Sequence, residues 1–113
     1  MTTTAPRPDV EAVIREMVRR IVEGFQPDRI ILFGSHARGD AGPDSDVDLL
    51  VVMPLRGRRV DTAVAIRTVL SGMGVAKDIL VATPEEFEAH KNLVGTIVYP
   101  AVHEGKVLYE RSS

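Results

Sequence analysis

Residues 29–53 read RIILFGSHARGDAGPDSDVDLLVVM: two short aliphatic runs, 29–33 and 47–53, joined by a linker holding glycines, one arginine and several aspartates. Continuous apolar runs of this length, rich in branched side chains, predict strands buried on both faces. Gly34-Ser35 ends the first run in a turn, and Pro54 ends the second. Four aspartates, Asp40, Asp44, Asp46 and Asp48, therefore crowd the approach to a buried strand. Carboxylates rarely lie so close to a core without a partner.

Outward from this stretch, helices and strands alternate. Upstream, Val10, Val13, Ile14, Met17, Val18, Ile21 and Val22 share one helical stripe, with Asp9 as N-cap and Gly24 as stop. Downstream, Val60, Ala63, Val64, Ile66, Val69, Leu70 and Met73 give a second helix, closed by Gly72 and Gly74. AKDILVA, 76–82, predicts a third strand. Thr83-Pro84-Glu85-Glu86 then places a cap, a first-turn proline and a capping-box glutamate in order. Residues 93–103 are expected to be helical with a kink at Pro100, and KVLYE, 106–110, to add a closing strand. The fold class is α/β, with a mixed central sheet of about four strands flanked by helices.

The 113 residues are enough for one core, so the expected organisation is a disordered N-terminus at 1–8 and a single domain at 9–113. A net charge of −2 gives no global basic field, so nucleic acid is not expected as a direct partner. No cysteine is present, which removes disulfides and thiolate metal sites. Neither a signal-like N-terminus nor a run of the ~20 apolar residues that span a bilayer is found, so a cytoplasmic protein without a membrane partner is expected.

Alternation along the second strand puts Asp46 and Asp48 on one face, ~6.8 Å apart along the chain, with Leu50 and Val52 continuing that face inward. Asp78 opens the third strand. If those strands are neighbours, ~4.8 Å apart, the three acids converge. Converging carboxylates raise one another's pKa, and a divalent cation relieves the cost. An all-oxygen donor set selects Mg²⁺ or Mn²⁺, and two such ions are the arrangement used in phosphoryl and nucleotidyl transfer. Capping of turns explains any one of these aspartates, but not the set. An EF-hand is excluded, since a loop starting at Asp44 has Leu49 in place of its glycine and Leu55 in place of its glutamate.

Gly34 and Ser35 follow a strand and open SHAR, a short helix whose free N–H groups suit phosphate. A Walker loop is excluded because Asp40 and Ala41 stand where Lys and Ser/Thr are required, and a dinucleotide fingerprint because His36 replaces its second glycine.

Taken together, Gly34-Ser35, Arg38-Gly39-Asp40 and Ser45-Asp46-Val47-Asp48-Leu49 resemble the signature of the DNA-polymerase-β-like nucleotidyltransferase superfamily, closest to its minimal, MNT-type members. The resemblance covers nearly the whole chain, Asp78 and the TPEEF helix start included. It implies that Asp46, Asp48 and Asp78 are catalytic metal ligands for two Mg²⁺ ions, with Asp78 also helping to deprotonate the acceptor. It further implies that Gly34 and Ser35 hold the triphosphate of ATP, and that Arg38 touches phosphate or orders the loop with Asp40. MNT-type proteins resemble the antitoxin half of pairs with a HEPN-type toxin, which implies transfer of AMP to a tyrosine of that ribonuclease within a hetero-oligomer. Two other roles stand beside it: a non-catalytic module that neutralises the toxin by contact, and a transferase acting on a small hydroxyl compound such as an aminoglycoside.

Of the remaining residues, His36 is expected at a solvated helix position, and His90 and His103 at the surface. Tyr99 and Tyr109 are expected to pack. Arg56, Arg58 and Arg59 read as a solvated loop, with an acceptor rim as the functional alternative.

Overall fold

The computed structural model describes residues 10–42 and 44–112; the expected disordered segment 1–8 and the Asp9 cap lie outside them. The chain runs α1 (Val10–Phe25), β1 (Arg29–Phe33), α2 (Ser35–Arg38), β2 (Val47–Val52), α3 (Arg59–Val69), β3 (Lys77–Ala82), α4 (Pro84–His90), α5 (Val98–Glu104) and β4 (Lys106–Glu110). The four strands form one mixed sheet in the order β3-β2-β1-β4. β1 is antiparallel to both β2 and β4, whereas β2 and β3 are parallel. No helix among the described residues is long and apolar enough to cross a membrane.

Both faces of β2 are buried, as its unbroken aliphatic run requires. On one face Leu49 and Val51 join Ile14, Met17 and Ile21 of α1 and Ile66 of α3. On the other, Leu50 and Val52 meet Phe87 of α4 and Val98 and Ala101 of α5. The two differently built core faces fix the register, because a slip of one residue would move Asp48 onto the α1–α3 face and Leu49 onto the α4–α5 face.

Three boundaries differ from the sequence reading. α1 continues through Gly24 to Phe25 and stops at Gln26, whose φ of 48° supplies the left-handed exit expected of the glycine. α3 ends at Val69, short of Met73, because Gly72 and Gly74 adopt positive φ just beyond it. The helix expected over 93–103 is instead α5 at Val98–Glu104. Pro100 lies in its first turn, where a missing N–H costs no hydrogen bond, so there is no kink to explain.

Candidate active site

The candidate site is built where β1 ends and β2 and β3 begin. Phe33 is the antiparallel partner of Asp48, and Asp48 is the parallel partner of Asp78. Asp48 thus stands between two neighbouring strands at the mouth of the sheet, with Asp46 one step outside β2 on the same face.

Gly34 closes the other side. Its φ of 75° and ψ of −157° belong to a region that is essentially glycine's alone. Space demands glycine as well, since a Cβ at this position would lie 2.2 Å from Oδ2 of Asp48. The turn expected to hold phosphate is therefore packed directly against a carboxylate expected to hold metal.

From Gly34 the chain makes a single helical turn. The carbonyl of Gly34 accepts from the N–H groups of Ala37 and Arg38, and that of Ser35 from those of Gly39 and Asp40. Buried Ala37 anchors the turn in the core, and Gly39, in left-handed conformation, ends it. The hydroxyl of Ser35 makes no hydrogen bond among the described residues, which leaves it available to a ligand.

Two contacts shape the loop back to β2. Arg38 pairs with Asp40 at 3.4 Å, the loop-ordering alternative read from the sequence. His36 is half-buried rather than solvated, with Nε2 3.2 Å from the carbonyl of Ser45, so it ties α2 to the residue before Asp46. Ser45 secures the same loop by accepting from the N–H of Gly42 at 2.8 Å.

Burial raises the pKa of Asp48, and the charges of Asp78 and Asp46 raise it further, while His36 and Arg38 act the other way. The three acids feel one another. They do not form a ready ligand set, however: among the described residues no group of three or more His, Cys, Asp or Glu side chains is gathered closely enough to hold a metal ion. The full convergence expected from the sequence is thus corrected. Asp78 is side by side with Asp48 in register, but its carboxylate takes a 3.1 Å ion pair with Arg67 of α3. Asp46 and Asp48 have no hydrogen bond or ion pair among the described residues and offer only hard oxygen donors, so this pair fits a magnesium-type cation.

Arg67 was missed by the sequence reading because it lies on a helix, eleven residues before its partner, where only the packing of α3 against β3 reveals the approach. Arg59 was misassigned to a solvated loop. It is the first residue of α3, and its guanidinium donates to the carbonyl of Val81 at 2.7 Å and to Glu86 of α4 at 2.6 Å. Glu86 in turn accepts from the N–H of Thr83, completing the capping box expected there. His90 lies half-buried, and exposed His103 stacks on Tyr99 with ring centroids 4.2 Å apart.

Residues 14–102 match the model of the family described as "Nucleotidyltransferase domain". A Methanocaldococcus jannaschii protein named "Putative protein adenylyltransferase MJ0604" is 32% identical over 102 residues, which cover 88% of this chain and 97% of that relative. Among solved structures, a "putative nucleotidyltransferase" from Sulfolobus solfataricus superimposes with a TM-score of 0.61 at 21% identity, covering 97% of this chain and 94% of the other. The toxin–antitoxin MntA-HpeT mutant gives 0.62 at 15% identity, over 86% of this chain and 73% of that one. A toxin–antitoxin solved with AMP-PNP gives 0.56 at 21%, over 89% and 73%. The four-strand mixed sheet flanked by helices matches these folds, and the family model spans the turn at Gly34 and all three acids: the chain belongs to the nucleotidyltransferase domain family.

Proposed function

We propose that this nucleotidyltransferase is a protein adenylyltransferase that acts as an antitoxin, moving AMP from ATP to a tyrosine hydroxyl of a partner HEPN ribonuclease. The observation that carries the reading is the contact of Gly34 with Asp48, which brings a phosphate-type turn and a cation-type carboxylate within one side chain's width. The name of the Methanocaldococcus relative and the fold shared with two toxin–antitoxin structures, one holding AMP-PNP, support the choice of acceptor class.

In this reading Gly34 and Ser35 bind the triphosphate through backbone N–H groups and the free hydroxyl, and Arg38 holds the loop beside it. Asp46 and Asp48 would hold Mg²⁺, joined by Asp78 once that carboxylate leaves Arg67. The cation, when bound, offsets the charge that develops on the phosphates. The acceptor oxygen forms a bond to the α-phosphorus, the bond from that phosphorus to the β-bridging oxygen breaks, and pyrophosphate departs. In the same reading Asp78, on the edge strand β3, takes the proton of the acceptor hydroxyl.

Incubating the protein with α-labelled ATP, Mg²⁺ and the toxin encoded beside it tests the proposal. Label on a toxin tyrosine, lost in Asp48→Asn, is the expected result. Unlabelled toxin that is still inhibited by Asp46→Ala would instead assign a neutralising role by contact alone.

A further inference from the structure

At the opposite end of β2 from Asp48 lies a cavity of about 650 Å³. Its walls come from the end of α1 (Phe25, Gln26), the exit of β2 (Met53, Pro54), the turn before α3, and the C-terminal Arg111. The six residues of β2, at ~3.3 Å each, keep it about 20 Å from the candidate active site.

Three arginines, Arg56, Arg58 and Arg111, line this cavity, against one acidic residue, Asp61. The contrast with arginines elsewhere is informative. Arg29, Arg38, Arg59 and Arg67 each lie against a carboxylate, and Arg111 is paired with Asp28 at 3.6 Å. The side chains of Arg56 and Arg58 have no hydrogen bond or ion pair among the described residues, the carbonyl of Arg58 accepting only from the N–H groups of Asp61 and Thr62. They flank Gly57, and Arg58 is the N-cap of α3, where no side chain caps the first turn. Two unpaired guanidinium forks, with that of Arg111 beside them, therefore border one concave space.

We infer that this cavity is a second anion site, which takes the phosphate chain of a small polyphosphate. Several oxygens at close spacing are what two or three neighbouring guanidiniums bind best, through paired N–H···O bonds. A nucleic-acid backbone is the poorer fit: the chain carries a net charge of −2, and these arginines ring a single cavity rather than form a track along the surface. The cavity is of the size that encloses small ligands, and Phe25, Met53, Pro54 and Ala65 add apolar wall beside the charges. The phosphate chain could belong to inorganic polyphosphate or to a nucleotide, and the apolar wall separates the two sources.

The test is an amide NMR titration of the full chain, without divalent cations, using inorganic tripolyphosphate and ATP in separate arms. Saturable shifts at Phe25, Gly57, Arg58 and Thr62 are expected, distinct from any at Gly34 and Ser35. Arg56→Glu/Arg58→Glu should weaken the distal response by roughly tenfold or more per charge reversed, leaving the response at Gly34 intact. Arg58→Lys, which keeps the charge and loses the fork, should fall between. Tighter distal binding of ATP than of tripolyphosphate assigns the site to a nucleotide, and equal binding to the phosphate chain alone. Shifts confined to residues 34–39, non-saturating shifts, or saturable distal binding of a glutamate-rich peptide but not of tripolyphosphate would overturn the inference.

Discussion

The mouth of β2 and the outer face of α1 both carry several carboxylates, and the two regions handle them in opposite ways. On α1, Arg19 and Arg20 hold Glu16 at about 2, chiefly through hydrogen bonds from the guanidinium groups. At the mouth of β2, Asp48 is pushed upward by burial and by Asp78 and Asp46. Two arginines do lie near the sheet mouth, but Arg38 pairs with Asp40 and Arg67 with Asp78, so neither engages Asp46 or Asp48. A solvated helix face spends its charges on one another, whereas the sheet mouth keeps Asp46 and Asp48 unspent, in the state that a cation-binding site requires.

The largest test of that contrast is Asp48→Asn. Transfer should fall on the order of 10²–10³-fold, as expected for loss of a group that organises charge at the reacting centre. Stability should move the other way. The folded-state pKa of Asp48 is raised, so its ionised form is disfavoured by folding and the penalty is present at neutral pH. The variant should then melt above the parent at pH 7, with the gap closing as pH falls through the raised folded-state value toward about 3.8 and absent below it, where both chains are neutral at this position. Equal melting temperatures at pH 7 would remove the claim that the site stores repulsion.

Gly34→Ala comes next. The positive φ and the 2.2 Å approach to Asp48 make the added methyl costly, and about 1–3 kcal/mol of destabilisation is expected from the backbone alone. Combining it with Asp48→Ala removes the clash but leaves the backbone cost. A thermal-melt cycle should therefore show part, and only part, of the loss recovered.

How much of this was legible in the sequence depended on the range of the cause. The strands around 29–33 and 47–52, the Thr83 capping box and the two-faced burial of β2 are local, and the residues state them openly. Gly34 was singled out as part of a phosphate-type turn from its place after a strand, but its approach to Asp48 was not, because cross-strand register is set by the whole core. Arg67 and Arg59 were invisible for the same reason: each reaches a partner on another element, and neither helix periodicity nor charge pattern names that partner. The segment 93–103 misled because apolar residues at helical spacing, such as Val94 and Ile97, lie exposed ahead of α5. Convergence of all three acids was inferred from strand spacing alone, and strand spacing says nothing of the Arg67 side chain that engages Asp78.

Glu86→Gln sharpens the comparison from the structural side. Glu86 is held at about 2, first by Arg59 and then by the N–H of Thr83, and it ties α3 to α4 across the outer edge of β3. Because its folded-state pKa is depressed, its contribution is fully present above about 4.5 and is lost as pH falls toward 2. Loss of the charged half of the capping box should cost about 1 kcal/mol at pH 7, leave transfer unchanged, and cost nothing near pH 2.

Glu16→Gln should do the least, although Glu16 is held as low as Glu86. The difference lies in surroundings. Glu16 is about as exposed as Glu86, but both of its arginine partners lie on its own helix, three and four residues on, where water and salt screen such pairs, and only Arg20 reaches further, to the carbonyl of Val69. Glu86, by contrast, joins two helices that are distant in sequence, so its loss loosens tertiary structure as well as a local pair. Neither transfer nor melting temperature should change measurably in Glu16→Gln, with or without added salt. A drop matching that of Glu86→Gln would mean that carboxylate pKa, rather than what the carboxylate joins, governs stability in this fold, and the distinction drawn between the helix face and the sheet mouth would have to be given up.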